Sequence, residues 1–241
     1  MKPIVIAHRG ASGITPENSI MSFEEALNQG ADGVEFDIHF TRDRVPVVIH
    51  DGTLDRTTTG QGKISEHSLD EIKKYKITDA EGNVFADQQV PTLKETLEIV
   101  KTMSVINIEI KSGNNEPSAI KQIIEMAKVM GIFSNIIFSS FDHYLLHKVK
   151  TLAPGARIGL LYKCKLYRPW EYAAMVDADN LHPYYRSIDK NITGKCKNNN
   201  VSVNVYGVND KKSIKQAIKS NVDMLITDYP DLAKQIIAGK I

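Results

Sequence analysis

Residues 30–40 read Gly-Ala-Asp-Gly-Val-Glu-Phe-Asp-Ile-His-Phe and carry the clearest signature of the fold. Gly30 stands where a C′ glycine would end a helix over residues 19–29. The β-branched and aromatic run that follows predicts a strand over residues 33–40. A short apolar strand next to an amphipathic helix is one step of an alternating pattern, which favours a parallel sheet.

The same alternation continues in both directions from this stretch. Eight strands are predicted, over residues 4–7, 33–40, 105–110, 135–139, 156–161, 178–181, 201–205 and 223–227. Helices are predicted over residues 19–29, 92–101, 117–130, 213–219 and 230–238, with further end signals at Gly131, Asp142 and Asp210. Eight units in 241 residues favour a single TIM-type (β/α)₈ barrel domain over residues 1–241, because closure leaves no edge strand.

One segment interrupts the alternation. Residues 51–90 contain a turn-rich Thr-Thr-Thr-Gly-Gln-Gly piece and a short helical pattern over residues 68–75. A segment of about forty residues is marginal as an independent hydrophobic core. We therefore predict a small insertion after the second strand, which caps one mouth of the barrel.

Composition and charge exclude several classes of protein. With 30 Lys and Arg against 29 Asp and Glu, the net charge of +1 creates no global field for nucleic acid or an anionic membrane. No apolar run has the length of a signal-peptide core or a membrane span. Cys164 and Cys196 lack metal-type spacing. We expect a cytoplasmic protein without a nucleic-acid partner or stable membrane association, and the sequence leaves the oligomeric state open.

Polar side chains occur where several predicted strands end, which is the face of a (β/α)₈ barrel that carries the active site. The first strand ends with His8 and Arg9, and the second carries Glu35 and Asp37. An extension of the second strand ends with His50, and the third strand ends with Glu109 and Lys111. Successive strand side chains alternate faces, so Glu35 and Asp37 share one face while Phe36 points to the helices. Glu109 and Lys111 share a face for the same reason.

Together these side chains indicate phosphodiester hydrolysis. Three carboxylates in one barrel mouth repel one another unless a cation neutralises them, and all-oxygen ligation suits Mg²⁺, Ca²⁺ or Mn²⁺. Two histidines can act as an acid–base pair near neutral pH. Arg9 and Lys111 add fixed positive charge for phosphoryl oxygens. Singly, each side chain has an ordinary structural explanation, and their coincidence on one rim favours catalysis.

Several motifs occur in a fixed order along the chain. They are His-Arg-Gly-Ala (8–11), Pro-Glu-Asn-Ser (16–19), Gly-Ala-Asp-Gly-Val-Glu-Phe-Asp (30–37), Val-Val-Ile-His-Asp (47–51), Ile-Glu-Ile-Lys (108–111) and Asp-Met-Leu-Ile-Thr-Asp-Tyr-Pro (223–230). In order and spacing they resemble the glycerophosphodiester phosphodiesterase family, over about residues 4–236. The resemblance implies metal-dependent hydrolysis of glycerophosphodiesters to sn-glycerol 3-phosphate and an alcohol. It also implies that the insertion is the small subdomain typical of that family.

Carried over position by position, the resemblance implies roles for individual residues. It implies that His8 and His50 are the acid–base pair. Glu35, Asp37 and Glu109 would bind one divalent cation (Mg²⁺ or Ca²⁺), and Arg9 and Lys111 would bind the phosphate. The chain departs from the family at Tyr206, where tryptophan is common. We expect Tyr206 to contact the alcohol or glycerol part of the substrate. Phe141, His182 and Tyr184 also follow predicted strand ends and are candidates for the leaving-group pocket.

The sequence leaves parts of the mechanism open. The nucleophile is either the substrate's own 2-hydroxyl, which would first give a cyclic phosphate, or water. We assign His8 as the initial base and His50 as the initial acid, although the sequence also allows the reverse, and it fixes neither the leaving alcohol nor the metal. Alternative functions on the same fold are a lysophospholipase-D-like lipid phosphodiesterase and a non-catalytic phosphodiester-binding protein. The second alternative predicts the loss of a histidine or carboxylate that this chain retains.

Overall fold

The computed structural model describes residues 2–113 and 116–241. Its strands are β1 (Ile4–His8), β2 (Gly33–Phe40), β3 (Pro46–Val48), β4 (Ile77–Thr78), β5 (Val84–Phe85), β6 (Val105–Ile110), β7 (Ile136–Ser140), β8 (Arg157–Tyr162), β9 (Asn180–Pro183), β10 (Ser202–Val205) and β11 (Met224–Thr227). Its helices are α1 (Ile20–Asn28), α2 (Leu69–Ile72), α3 (Leu93–Val100), α4 (Pro117–Val129), α5 (His143–Leu152), α6 (Pro169–Val176), α7 (Lys190–Asn198), α8 (Lys211–Lys219) and α9 (Pro230–Ile237).

The predicted barrel is confirmed. In the described ranges, β1, β2 and β6 to β11 form eight parallel strands, and β1 closes the barrel by pairing with both β2 and β11. The outward side chains of β2, Val34, Phe36 and Ile38, are buried against the surrounding helices. Polar residues on the inward face of β2 alternate with them, as the period of a strand requires. None of the helices in the described part of the chain has the length and apolar character to cross a membrane.

Helix ends follow the sequence signals. Gly30 and Gly131 have φ values of 69° and 72° directly after the C-caps of α1 and α4, in the left-handed region that glycine adopts without a Cβ penalty. The Asp142 carboxylate accepts the backbone N–H of Leu145 at 3.1 Å and so caps α5. Asp210 caps α8 through the backbone N–H of Ser213 at 2.8 Å. These ends fix where each connecting loop meets the barrel.

The structure corrects the predicted extension of the second strand, which is a separate antiparallel strand. The chain reverses after Phe40, and β3 runs antiparallel to β2, with Ile38 opposite Val48. Thr41 stabilises the reversal, because its hydroxyl oxygen accepts the backbone N–H of Val45 at 2.9 Å. The hairpin brings the chain back along β2, so the backbone N–H of Ile49 donates to the carbonyl of Asp37 at 3.0 Å. The reversal of the chain therefore places His50 beside the residues of β2.

The insertion after the second strand is present, and it contains α2 and the β4–β5 hairpin. It packs around a small apolar cluster of its own, formed by Val47, Ile49, Leu54, Ile64, Ile72 and Val90. The helix predicted over residues 68–75 is shorter, at Leu69–Ile72. The strand predicted over residues 178–181 begins later, at Asn180, because Asp177 ends α6 in a left-handed conformation with a φ of 57°.

Candidate active site

Strand register brings the predicted acids together. The β1–β2 pairing places His8 opposite Glu35, and the β2–β6 pairing places Asp37 opposite Glu109. One carboxylate oxygen from each of Glu35, Asp37 and Glu109 lies within 4.8 Å of the others. All three are at most 9% exposed. Two neighbouring strands, β2 and β6, thus supply a compact, buried set of oxygen ligands.

Asp37 is the best-satisfied carboxylate of this set. It receives Lys111 Nζ at 2.6 Å, Asn18 Nδ2 at 2.9 Å and Arg9 Nε at 3.4 Å. Although burial alone would raise the pKa of Asp37, the charges of Lys111 and Arg9 hold it well below its ordinary value. Asp37 is therefore ionised throughout the physiological range.

Glu35 and Glu109 behave in the opposite way. Burial, followed by the neighbouring charge of Asp37, raises the pKa of both carboxyls above the ordinary value. Lys111 Nζ contacts Glu109 at 2.6 Å, but this cation is shared with Asp37. Without further positive charge, the set resists full ionisation.

This charge balance fits a divalent cation. Three carboxylates face two fixed cations, Arg9 and Lys111, which leaves one excess negative charge when all three acids are ionised. Oxygens on opposite sides of a Ca²⁺ ion lie roughly 4.6–5.2 Å apart, since each Ca–O distance is about 2.3–2.6 Å. The three ligand oxygens lie within 4.8 Å of one another, close enough to contact one such ion. The cluster could therefore hold a metal ion.

Each of the two predicted histidines has a carboxylate behind it. His8 Nδ1 lies 2.6 Å from Asp228 Oδ1, and His50 Nδ1 lies 2.6 Å from Asp51 Oδ1. A carboxylate can only accept, so in each neutral imidazole the Nδ1 atom carries the hydrogen and Nε2 remains a base. His8 Nε2 is 3.8 Å from Glu35 Oε2, at the edge of the acidic cluster. Both rings thus present a proton-accepting nitrogen away from their partners.

The environments of the two histidines shift their pKa values in opposite directions. Burial opposes protonation of His8, but the hydrogen bond that His8 donates to Asp228 and the charge of Glu35 raise the pKa of His8 above its ordinary value. Burial lowers the pKa of His50 below its ordinary value; the charge of Asp37 and the hydrogen bond to Asp51 favour protonation, and the charges of Arg9 and Lys111 oppose it. Paired titratable groups with separated pKa values are typical of acid–base sites.

A chain of ion pairs connects the second histidine to the acidic cluster. Asp51 Oδ2 accepts Arg56 Nε at 2.6 Å, and both terminal nitrogens of Arg56 contact Glu17 at 2.8 Å. Glu17 Oε1 in turn accepts Arg9 Nη1 at 2.8 Å. Arg56 belongs to the insertion and Glu17 to the loop after β1. The insertion therefore fixes the orientation of His50 and borders the mouth of the barrel.

Arg9 has an unusual backbone conformation. Its φ is 55°, in the left-handed region, where a non-glycine residue costs roughly 1–3 kcal/mol. The strain is held by backbone hydrogen bonds, because Arg9 N–H donates to the Glu35 carbonyl at 2.7 Å and the Arg9 carbonyl accepts Asn18 N–H at 3.0 Å. Gly10 follows with a φ of 82°, and a Cβ there would collide with Ser22. This turn directs the guanidinium toward Asp37.

Across the mouth, the strand ends carry aromatic side chains. The Phe141 and Tyr206 rings meet edge to face with centroids 6.3 Å apart, and Tyr184 packs behind Tyr206 at 5.7 Å. Lys163, after β8, lies 5.9 Å from the Phe141 ring centroid. We call Phe141, Leu161, Lys163 and Tyr206 the aromatic half of the site. The charged half consists of His8, Arg9, Glu35, Asp37, His50, Glu109 and Lys111.

A cavity of about 200 Å³ lies between the two halves. It is lined by six members of the charged half and by all of the aromatic half, namely His8, Arg9, Glu35, His50, Glu109, Lys111, Phe141, Leu161, Lys163 and Tyr206. Asp37 lies beneath its lining, 1% exposed. The structure thus brings the predicted catalytic and metal-binding residues together with Arg9, Lys111 and Tyr206, which were predicted to bind substrate.

One leaving-group candidate is placed wrongly by the sequence interpretation. His182 lies within β9, 1% exposed in the barrel interior, where its Nε2 meets Asn204 Nδ2 at 3.0 Å. Gly159 makes room for the ring, because a Cβ at that position would come within 2.5 Å of His182 Nε2. The side chain faces inward below the mouth, so it lines no part of the cavity.

Sequence reasoning also missed several residues of the site. Asp51, Asp228, Asn18 and Glu17 stand inside the quoted motifs, but their roles as partners of the histidines, Asp37 and Arg9 depend on contacts across the barrel. An acid directly after a strand that ends in histidine, as at Asp51, was the one local signal. Lys163 stands outside every motif.

Comparison with known proteins gives one consistent result. The profile of the glycerophosphoryl diester phosphodiesterase family matches residues 8–232. A glycerophosphodiester phosphodiesterase from Caldanaerobacter subterraneus subsp. tengcongensis is 42% identical over 233 residues, which cover 96% of each chain. One from Bacillus altitudinis is 31% identical over 237 residues, covering 96% of this chain and 97% of that relative.

A solved structure extends the comparison to three dimensions. An Oleispira antarctica phosphodiesterase, in complex with the product sn-glycerol 3-phosphate, is similar with a TM-score of 0.88 and 29% sequence identity. The similarity covers 98% of this chain and 97% of that one.

Proposed function

We propose that this chain, which belongs to the glycerophosphoryl diester phosphodiesterase family, hydrolyses glycerophosphodiesters by acid–base catalysis between His8 and His50. The products are sn-glycerol 3-phosphate and an alcohol, and the reaction depends on a divalent cation held by Glu35, Asp37 and Glu109. The activity itself is that of the family and of the similar enzymes.

The observation that carries the proposal is the pair of carboxylate-backed histidines on one cavity. His8 Nδ1 donates to Asp228 and His50 Nδ1 donates to Asp51, each with a nitrogen-to-oxygen distance of 2.6 Å. Each Nε2 is thereby left to exchange a proton. Both histidines line the same cavity as the acidic cluster. A phosphodiester placed between them would have a proton acceptor on one side and a proton donor on the other.

The proposed reaction balances with one proton taken and one returned. Neutral His8 removes a proton from the attacking hydroxyl as the new P–O bond forms. Protonated His50 gives a proton to the departing alcohol oxygen as the old P–O bond breaks. If the attacking group is the 2-hydroxyl of the substrate's glycerol, the product is a cyclic phosphate, and water opens it with the histidine roles reversed. Direct attack by water reaches the final products in one displacement.

The acidic cluster and the two fixed cations define the electrostatics of the reaction. When bound, a Mg²⁺ or Ca²⁺ ion supplies charge stabilisation for phosphoryl oxygens. Asp37, already ionised, and the two glutamates would hold it. Arg9 and Lys111 remain beside the phosphate and compensate the charge that develops on its oxygens. Their ion pairs with Asp37 keep both side chains in place before substrate arrives.

Taken alone, the raised pKa of His8 and the lowered pKa of His50 favour the reverse order, with His50 as the first base. The pKa of His8 lies above its ordinary value partly because of the negative charge of Glu35. Glu35 would lose that influence on His8 if its charge were neutralised by a bound cation, and the pKa of His8 would then be lower. Metal binding would thereby prepare His8 to accept a proton.

The direct test measures sn-glycerol 3-phosphate released from glycerophosphocholine and glycerophosphoethanolamine, in EDTA and with Mg²⁺, Ca²⁺ or Mn²⁺. Replacing His8 or His50 by glutamine should reduce turnover by roughly 10²–10⁴-fold, the usual contribution of a general acid or base. The exposed His147 provides the control H147Q, which should retain full activity. Phosphorus NMR during turnover detects a cyclic phosphate if it forms. Full activity of the His8 or His50 variant, or equal activity in EDTA, would contradict the proposal.

A further inference from the structure

Lys163 lies across the cavity from the proposed chemistry. It follows β8, which stands four strands from β1 in the closed order of the barrel and therefore opposite His8. Its ammonium lies 5.9 Å from the centroid of Phe141, and it lines the same cavity as His8 and His50. Its backbone carbonyl accepts the hydroxyl of the buried Ser187, which anchors the start of the loop. The fold thus anchors the backbone of Lys163 at the rim of the cavity, while its side chain is exposed and reaches over Phe141.

The other fixed cations of the cavity are already engaged. Lys111 contacts two carboxylates at 2.6 Å, and Arg9 contacts Glu17 at 2.8 Å and Asp37 at 3.4 Å. In the described part of the chain, no carboxylate lies within 4.0 Å of Lys163 Nζ. The positive charge of Lys163 therefore acts on the group of the substrate that occupies the aromatic half.

That group is one arm of the diester and not its phosphate. The phosphate must lie between the two histidines, beside the acidic cluster on β2 and β6. The glycerol arm carries hydroxyls and matches the polar groups of the charged half. The variable alcohol arm is left to extend along Phe141 and Tyr206, where it meets Lys163.

Resting on the proposed function, we propose that Lys163 determines the charge of the alcohol arm that the enzyme prefers. It favours diesters whose arm is a neutral polyol or carries negative charge, and disfavours arms that carry an ammonium group. An aromatic wall alone would attract a cationic arm through its ring faces. Lys163 already occupies that place above Phe141, so a second cation there is repelled.

The expected size of the effect follows from Coulomb's law. Two unit charges about 6 Å apart, in the intermediate dielectric of an open cavity, repel enough to change binding by roughly three- to tenfold. The effect should appear in kcat/KM for substrates that differ in the charge of the alcohol arm.

The experiment compares glycerophosphoglycerol, which has a neutral arm, with glycerophosphocholine, which has a cationic arm. The wild-type ratio of kcat/KM should favour glycerophosphoglycerol. The ratio should fall by roughly three- to tenfold in K163M and further in K163E, which places an attractive charge beside choline. Lys165 is exposed on the same loop and pairs with Asp189 at 3.1 Å, so K165M and K165E are matched controls whose ratio should not change.

The possible failures are distinguishable. An equal loss for both substrates in K163M would assign Lys163 to the phosphate or the glycerol arm and overturn the proposal, as would an unchanged ratio in K163E. Absence of hydrolysis of either diester with any divalent cation would overturn the proposed function as well. Calorimetric titration of the two diesters into H8Q, with and without K163E, measures the same preference as a ratio of Kd values without relying on turnover.

Discussion

The charged and aromatic halves of the site are built in different ways. In the charged half, most side chains touch two or more oppositely charged partners, as Asp37 touches Lys111 and Arg9, and Arg9 touches Glu17 and Asp37. In the aromatic half, Phe141 and Tyr206 meet through a ring contact at 6.3 Å, and Tyr184 packs behind Tyr206 at 5.7 Å. One half is held by a network of charges and the other by packing.

This difference predicts where substitutions will be costly. Removing one charge from a buried network leaves its partners unpaired, which is far more expensive than losing one contact of an aromatic ring. Changes in the charged half should therefore alter turnover and cation binding. Changes in the aromatic half should alter substrate affinity, with little effect on the chemical step.

The largest effect is expected for E109Q, which removes one of the three acids. Turnover should fall by roughly 10²-fold or more, because cation stabilisation of the phosphoryl oxygens is worth several kcal/mol. The wild type should gain about 2.7 kcal/mol in free energy of unfolding at a cation concentration of 100 times Kd, and the variant should lose most of that gain. In EDTA, E109Q should melt at a higher temperature than the wild type, because burial and Asp37 disfavour the ionised form of Glu109. Thermal melts with and without Ca²⁺ or Mg²⁺ measure both effects.

The control for this prediction is E125Q, a change of an exposed glutamate on α4. It should leave turnover and the cation-induced shift in melting temperature unchanged. A cation shift of equal size in E109Q and the wild type would show that the charged half does not hold the ion through Glu109.

A smaller effect is expected beneath the aromatic half, where the barrel interior is polar but uncharged. Burial lowers the pKa of His182 to about 3 from its ordinary 6.5. Between about pH 6.5 and pH 3, His182 therefore binds a proton in the unfolded chain but not in the folded protein. The free energy of unfolding should fall by about 2 kcal/mol between pH 7 and pH 5 from this residue. Urea unfolding at several pH values should show this loss in the wild type and a reduced slope in H182Q.

The exposed His147 again supplies the comparison, since H147Q should keep the wild-type pH slope. An H182Q slope equal to that of the wild type would mean that His182 is protonated within the barrel. The interior beneath the aromatic half would then resemble the charged half.

The smallest effect is expected at Tyr206. Y206A should raise KM about five- to tenfold and leave kcat within about twofold, because an aromatic contact contributes roughly 0.5–1.5 kcal/mol beyond its buried area. Y206F loses a hydroxyl that donates to the Tyr162 carbonyl at 3.3 Å and should behave almost as the wild type. Separate kcat and KM values for Y206A, Y206F and Y206W test the contact. A loss in kcat larger than the rise in KM would place Tyr206 with the charged half.

The sequence alone determined the barrel and which residues make up the charged half. Strand periodicity placed Glu35 and Asp37 on the inward face, and their motif resembles that of a known family. These features depend on neighbouring residues in the chain, so local spacing is enough to predict them. Even the small shifts in element boundaries, as at Asn180, left the assignment of faces intact.

The tertiary structure decided how the pieces meet. His8 contacts Asp228, which is 220 residues away in the sequence, and Phe141 contacts Tyr206, which is 65 residues away. These contacts form because closure of the barrel sets which strand ends are neighbours. The β2–β3 hairpin turned a predicted extension into the return that delivers His50. Inward or outward direction has a period of two residues and can be read locally, whereas register, side-chain partners and the pKa values that follow from them depend on the closed barrel.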